Sequence, residues 1–322
     1  MIVRWGLQEL PGVLVDCGAV RPLLIASRRW IGLDLPVQVQ GIWSQVPTAD
    51  IEAVAREAAG CDGILALGGG SAIDLAKAVS AETGLTLVSV PTTYAGAEWT
   101  TMFGIRDEGR RILGGGGGSH NAGIVYDAEL TLRLPRDVSA GTALNALAHC
   151  AEALYVQGHN DAADEEALTG AALISEWLPP VLDDGSDPAT RRALLEGAMH
   201  AGAALAGAGL ALGHALAQAV GGRYGLPHGA MNALCVPAAM RFNEPVAGEA
   251  LSRLAAAMGV EDAVARFEEL ARLGGFERLR DFGVPREELP ELGAAAAERR
   301  GALVNPRPVS ADDAARLYES VW

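Results

Sequence analysis

The chain has 322 residues, half of them apolar, which is ample for one large or two medium domains with a real core. Its formal net charge of −15 repels nucleic acid and anionic membrane surfaces, so neither is expected as a partner, and an anionic substrate has to meet local arginines or histidines. Cys17, Cys61, Cys150 and Cys235 are far apart and form no C-x-x-C pair, which argues against a zinc knuckle or a disulfide framework.

The N-terminus opens Met-Ile-Val-Arg-Trp-Gly, without the basic and apolar regions of a signal peptide, and no long apolar span lacks glycine, charge or amphipathicity. A reducing cytoplasm is the expected compartment. In the first third, short apolar runs alternate with amphipathic stretches: 22–26, 36–40, 51–59, 63–67, 75–82 and 85–90. Strand and helix in this rhythm predict a parallel sheet covered by helices. Gly114 to Gly118 are five consecutive glycines, too costly in chain entropy for regular structure, and read as a surface loop or a lid. From about Ser139 the texture changes to long Ala- and Leu-rich segments, 140–156, 164–178, 189–219 and 249–271, which predict packed helices. A boundary near Pro135 gives an α/β nucleotide-type domain, 1–135, and an all-helical domain, 136–322.

Gly68-Gly69-Gly70-Ser71 follows a strand and precedes the helix that carries Asp74 and Lys77. Glycines there let the backbone approach a phosphate, and the helix start offers unpaired N–H groups and its positive dipole end. The spacing is not G-x-G-x-x-G, and tight turns also use glycine for steric reasons. A second loop, Pro91-Thr92-Thr93-Tyr94-Ala95-Gly96-Ala97-Glu98, follows the next strand, at the edge where open α/β sheets bind ligands; its threonines could equally cap a helix. Ser27-Arg28-Arg29 follows an earlier strand, where dinucleotide sites often place an acid against the ribose. With no carboxylate there, a 2′-phosphate is tolerated, so NADPH is as plausible as NADH; two solvated arginines are the plainer alternative.

On a helix Asn145 and His149 share a face, as do His214 and Gln218, while Pro227 and Gly229 fix a turn that aims His228. A lone histidine on an apolar helix is usually a hydrogen-bonded core residue, but these are three of the chain's six in polar frames, which points to a site. Three imidazoles with a carboxylate would suit Zn²⁺ or Fe²⁺. Asparagine adds no charge to offset a dication, so a metal-free pocket is favoured and a set of His149, His214 and His228 is the metal alternative.

The run Gly68 to Lys77, the loop Pro91 to Glu98, the segment Tyr126 to Thr131 and the frame Gly213-His214 to Pro227-His228-Gly229 together resemble the iron-containing alcohol dehydrogenase superfamily, as far as about Asn243. Within it, Thr92 to Gly96, Asn145 to His149 and Gly221 to His228 most resemble maleylacetate reductases, which typically carry asparagine where metal-dependent relatives carry aspartate. The resemblance implies a dehydroquinate synthase-like fold, with a nicotinamide cofactor in a cleft between the domains. It implies cofactor contacts from Gly68, Gly69, Gly70, Ser71, Thr92 and Thr93, and a substrate end lined by Asn145, His149, His214 and His228; Asp74 and Ser27 are expected at the cofactor as well. Tyr94 and Gln218 are expected beside the substrate, with Arg223 and Arg241 as candidate carboxylate anchors. Two departures stand out: Gln218 occupies a position that is usually histidine, and the glycine run replaces an ordinary polar loop.

The leading expectation is an NAD(P)H-dependent reductase of a small carboxylated enone or carbonyl compound, acting as a homodimer. The alternatives are an Fe- or Zn-dependent alcohol or aldehyde dehydrogenase, and a non-redox or ligand-binding relative that keeps the nucleotide cleft.

Overall fold

The structure, a computed structural model, describes residues 1–107 and 111–322. The chain divides into two compact units, Met1–Arg133 and Leu134–Trp322.

The first unit is built on β1 (Ile2–Trp5), α1 (Leu10–Asp16), β2 (Pro22–Ala26), β3 (Gly41–Trp43), α2 (Ile51–Glu57), β4 (Gly63–Gly68), α3 (Gly70–Thr83), β5 (Thr86–Pro91), the hairpin β6 (Phe103–Arg106) and β7 (Ile112–Gly116), and β8 (His120–Tyr126). Six strands pair in parallel in the order β1-β8-β5-β4-β2-β3. Alternate residues feed opposite faces: Leu24, Leu65, Leu67 and Val88 pack on one side, and Leu23, Ile25, Ile64 and Leu87 on the other. Both faces are therefore dry, which is why these strands read as continuous apolar runs.

Two local expectations are corrected. The segment at 36–40 is not a strand; pairing with β2 begins only at Gly41, beside Leu23, while Val37 and Val39 pack against the core. Nor is the glycine run irregular, since Gly114 to Gly116 pair with β6 in an antiparallel hairpin. A side chain at Gly115 would sit 2.7 Å from the Phe103 carbonyl oxygen and one at Gly116 2.8 Å from the Phe103 ring. Bare backbone lets the two strands close on Phe103, and the cross-strand hydrogen bonds offset the entropy of ordering glycine.

The second unit contains α4 (Arg136–Ala153), α5 (Asp161–Asp183), α6 (Pro188–Ala208), α7 (Leu212–Tyr224), α8 (His228–Ala257), α9 (Ala263–Leu273), α10 (Leu289–Ala297), α11 (Arg300–Leu303) and α12 (Ala311–Ser320). The stretch read as one helix over 189–219 is two, α6 and α7, bent by 103° at a break opened by Gly209 with φ +101°. Among the described residues, no single helix is long and apolar enough to cross a membrane.

Two glycines set how close the central helices come. A Cβ on Gly229 would lie 2.1 Å from the Gly141 carbonyl oxygen, so α4 and α8 meet backbone to backbone. A Cβ on Gly213 would lie 2.8 Å from Glu152 Oε1 and 2.7 Å from Val236, which draws the start of α7 into the same place. His214 and His228 adjoin these glycines, and Asn145 and Asn232 stand one turn from Gly141 and Gly229.

Candidate active site

In the first unit the chain leaves β2 toward β3 on one side and leaves β4 toward β5 on the other. The crevice at the carboxyl ends of β2 and β4 is therefore the topological switch point, where open α/β sheets bind ligands. Gly68 to Ser71 lie at the end of β4 and the start of α3, and Ser27 directly follows β2. Gly68 has φ +156°, and a Cβ there would be 2.7 Å from Ser27 Oγ; one on Gly69 would be 2.8 Å from Thr93 Cγ2. The turn is thus stripped of side chains at the start of α3, where Ser27, Ala72 and Thr93 leave no room for them.

Thr92 and Thr93 divide their labour. Thr92 is buried and its Oγ1 accepts hydrogen bonds from Arg29 Nη2 at 3.2 Å and Trp30 Nε1 at 3.3 Å, while Thr93 stays half-buried beside Gly69. Arg29 also lies over the Trp30 ring, 4.6 Å from its centroid. Asp74, expected at the cofactor, is engaged by Lys77 Nζ at 2.8 Å and by the Gly104 N–H at 3.2 Å, so it ties the hairpin to α3. Tyr94, expected at the substrate, is fully buried in the loop after β5.

Sequence reasoning missed Glu98 in the same loop. Its buried carboxyl accepts from the Tyr126 hydroxyl at 2.7 Å, and Trp99 Nε1 donates to that hydroxyl at 2.7 Å. Desolvation raises the Glu98 carboxyl above the usual range, and it anchors the threonine loop to β8.

In the second unit, α4, α7 and α8 bring together Asn145, His149, His214 and His228. The rings of His149 and His214 stack, with centroids 4.9 Å apart and planes at 20°; His228 lies 5.8 Å from His214 at 53°. Two further residues complete the cluster, and both escaped the sequence analysis. Glu152 is fully buried and accepts three hydrogen bonds: from Ala211 N at 2.8 Å, His214 N at 3.2 Å and His214 Nδ1 at 2.7 Å. It caps α7 and holds the imidazole, fixing the His214 proton on Nδ1 and leaving Nε2 facing away. Asn232 is the other. Its Nδ2 donates to Asn145 Oδ1 at 2.6 Å and to His228 Nε2 at 3.1 Å.

These bonds orient the remaining amide. Because Asn145 Oδ1 accepts from Asn232, Asn145 Nδ2 is the donor to His149 Nε2, at 3.3 Å, and the His149 proton sits on Nδ1. His149 Nδ1 and His214 Nε2 are buried without a hydrogen-bond partner. The cluster thus presents one unused N–H donor, at His149, and two unused acceptors, His214 Nε2 and Asn232 Oδ1.

Burial first, and then the neighbouring His214 and His228, push the His149 imidazole well below its usual proton affinity. The unfolded chain takes up this proton below about pH 6.5 and the folded protein does not, so the stabilisation is complete above that pH and is lost as pH falls. The expected slope is up to about 1.4 kcal/mol per pH unit. Urea midpoints measured between about pH 7 and about pH 5 check it, since the His149→Gln variant should lose that part of the slope.

The other expected substrate residues separate. Gln218, one turn beyond His214 on α7, accepts from Arg299 Nη1 at 3.5 Å. Arg223 pairs with Glu288 at 2.5 Å and Glu291 at 2.9 Å, and Arg241 makes two bonds to Glu268, at 3.1 and 2.8 Å. Both are corrected from carboxylate anchors to ion pairs that are substantially exposed, their guanidinium groups already matched by the protein's own acids. Arg241 is also 13 residues beyond His228 on the same helix, roughly 20 Å along its axis.

Comparison with known proteins agrees with this architecture. The family model for iron-containing alcohol dehydrogenase matches residues 11–120, and that for the C-terminal part of the Fe-containing alcohol dehydrogenase family matches 139–322. A maleylacetate reductase from Burkholderia cepacia is 36% identical over 98% of this chain and 96% of its own length. The crystal structure of maleylacetate reductase from Agrobacterium tumefaciens superimposes with a TM-score of 0.89 at 28% identity, covering 100% of this chain and 95% of that one. An iron-containing alcohol dehydrogenase from Corynebacterium glutamicum gives 0.90 at 29%, covering 100% and 94%. The chain belongs to the iron-containing alcohol dehydrogenase family, on its maleylacetate reductase side. It is an oxidoreductase.

The family implies a metal, and the donor set here does not fit one. His149 Nε2 and His228 Nε2 are bonded to amides, the rings of His149 and His214 stack almost in parallel, and the position that could supply charge is the neutral Asn145. Among the described residues, no group of three or more His, Cys, Asp or Glu side chains is arranged to hold an ion. A dication would meet open lone pairs at His214 Nε2 and Asn232 Oδ1, where binding calls for three or four donors.

Proposed function

We propose that this protein is a metal-independent maleylacetate reductase, converting an enone diacid to its saturated keto diacid. The observation that carries the reading is the paired state of the cluster: an unpartnered His149 Nδ1–H beside His214, whose other nitrogen is bonded to buried Glu152.

Reduced nicotinamide, when bound, would supply a hydride. Added to the alkene carbon beta to the ketone, the hydride shifts the electron pair onto the ketone oxygen, and a proton added at the alpha carbon completes the reduction. His149 Nδ1–H, neutral by burial, donates to the developing enolate oxygen. That interaction strengthens as charge grows in a dry site, so it stabilises the transition state more than the bound enone. His214 Nε2 takes up a proton from water and passes it to the alpha carbon, with Glu152 balancing the imidazolium while it lasts. His228, held by Asn232, closes the cluster, and the two asparagines position rings without transferring protons.

Metal analysis joined to activity tests the reading. Protein purified without chelator and then dialysed against EDTA should retain full turnover of maleylacetate and carry no stoichiometric iron or zinc. Loss of activity that Fe²⁺ or Zn²⁺ restores would replace this reading with a metal-dependent alcohol dehydrogenase. For the cofactor, we favour NADPH over NADH, because Ser27, Arg28 and Arg29 follow β2 at the switch point and Arg29 is braced on Thr92 and Trp30. Arg28→Ala should lower kcat/KM for NADPH by about 10-fold or more and leave NADH within about twofold; equal losses would refute a 2′-phosphate role. We place the enzyme as a homodimer, the commonest closed assembly, in the cytoplasm, where its unpaired cysteines stay reduced.

A further inference from the structure

Gln218, where relatives are expected to carry histidine, finds no use in the mechanism above, and it touches one cation. Arg299, the residue that caps the start of α11, donates from Nη1 to Gln218 Oε1 across a long 3.5 Å, and its Nε is buried without any partner. Among the described residues, no carboxylate pairs with Arg299. The contrast with its neighbours is sharp: Arg223, Arg241, Arg253 and Arg266 of the same unit are all ion-paired. A half-buried guanidinium held by one weak neutral contact is an incomplete ion pair, since its desolvation is offset only when an anion arrives.

We infer that Arg299 is the carboxylate anchor of the substrate site and that Gln218 is the bracket that aims it; this rests on the enone diacid reading above. His214 and Gln218 are four apart on α7, so their side chains are neighbours, about 6 Å between Cβ atoms. The bracket of Arg299 therefore stands one turn from the imidazole on the same face of α7. With one carboxylate on Arg299, the ketone reaches the imidazoles. Glutamine suits the bracket because its oxygen accepts from the guanidinium while the amide stays neutral. A histidine at 218, once protonated, would repel Arg299. In a chain of net charge −15, an anion is held only where a local cation overrides the field.

The test compares Arg299→Met and Gln218→Leu with the parent enzyme, on maleylacetate and on its half-esters. Arg299→Met should raise KM for the diacid roughly 10- to 100-fold, the range of a charge-assisted contact, with kcat within about threefold and NADPH affinity unchanged. One half-ester should already be poor with the parent enzyme and lose nothing further in the variant. Gln218→Leu should give a smaller rise in KM of the same pattern. Equal losses on diacid and on both half-esters, or an unchanged KM, would overturn the assignment. Calorimetry with adipate, an unreactive saturated diacid, on the NADPH-loaded protein separates this inference from the reductase reading. Binding by the parent and its loss in Arg299→Met supports the anchor even if maleylacetate is not turned over; equal binding in both proteins, or none in the parent, contradicts it.

Discussion

Replacing His214 with alanine is expected to lower kcat for enone reduction by about 10²- to 10⁴-fold, with KM and NADPH affinity changed little. The ring is almost fully buried, stacks on His149 and presents Nε2 without a partner, so its removal takes away both the proton carrier and the support of its neighbour. The fold should survive. Glu152 keeps the backbone N–H groups of Ala211 and residue 214 after the substitution, so two of its three donors remain. Added imidazole should restore part of the activity, because the emptied space fits the missing ring. Turnover within about threefold of the parent would remove His214 from the mechanism.

The second large effect is expected from Glu152→Gln, which keeps shape and removes charge. A glutamine has one accepting oxygen where the carboxylate uses two, so one of its NH₂ contacts must oppose an N–H. With its oxygen at the Oε2 position the amide keeps Ala211 N and His214 Nδ1 and opposes the His214 backbone N–H, but it no longer balances an imidazolium at His214. Carboxylate–imidazole pairs in other enzymes lose up to about 10⁴ in kcat when the carboxylate becomes an amide, and a loss of about 10²- to 10⁴-fold is expected here. Stability should fall by about 1.5–3 kcal/mol, the worth of a charge-assisted bond, seen as a lowered melting temperature with NADPH binding intact. Activity within a few-fold of the parent would show that His214 does not work as an imidazolium balanced by Glu152.

Much of this site was legible in the sequence because its signals are local. The turn Gly68 to Ser71 advertises itself by strand, glycines and helix in succession, and the histidines by i,i+4 frames and the Pro227-Gly229 turn. Glu152 was not legible: among Cys150, Ala151, Ala153 and Leu154 it reads as one charge on a helix, and its role comes from Gly213 letting α7 approach. Asn232 is likewise silent until α4 and α8 meet at Gly141 and Gly229. Strand order is non-local, so the switch point beside Ser27 needed the fold. Arg223 and Arg241 misled for the same reason, since a cation's partner across helices cannot be read from spacing. The glycine run misled because entropy was weighed without the Phe103 contact that offsets it.

The most direct test of the central claim is the fate of a labelled hydride. With NADPH carrying deuterium at the transferred position, maleylacetate should yield a keto diacid that bears one deuterium on the former alkene carbon beta to the ketone, with the ketone intact. Deuterium on a carbinol carbon would mean that the cluster reduces carbonyls, and would contradict the enolate chemistry assigned to His149, His214 and Glu152.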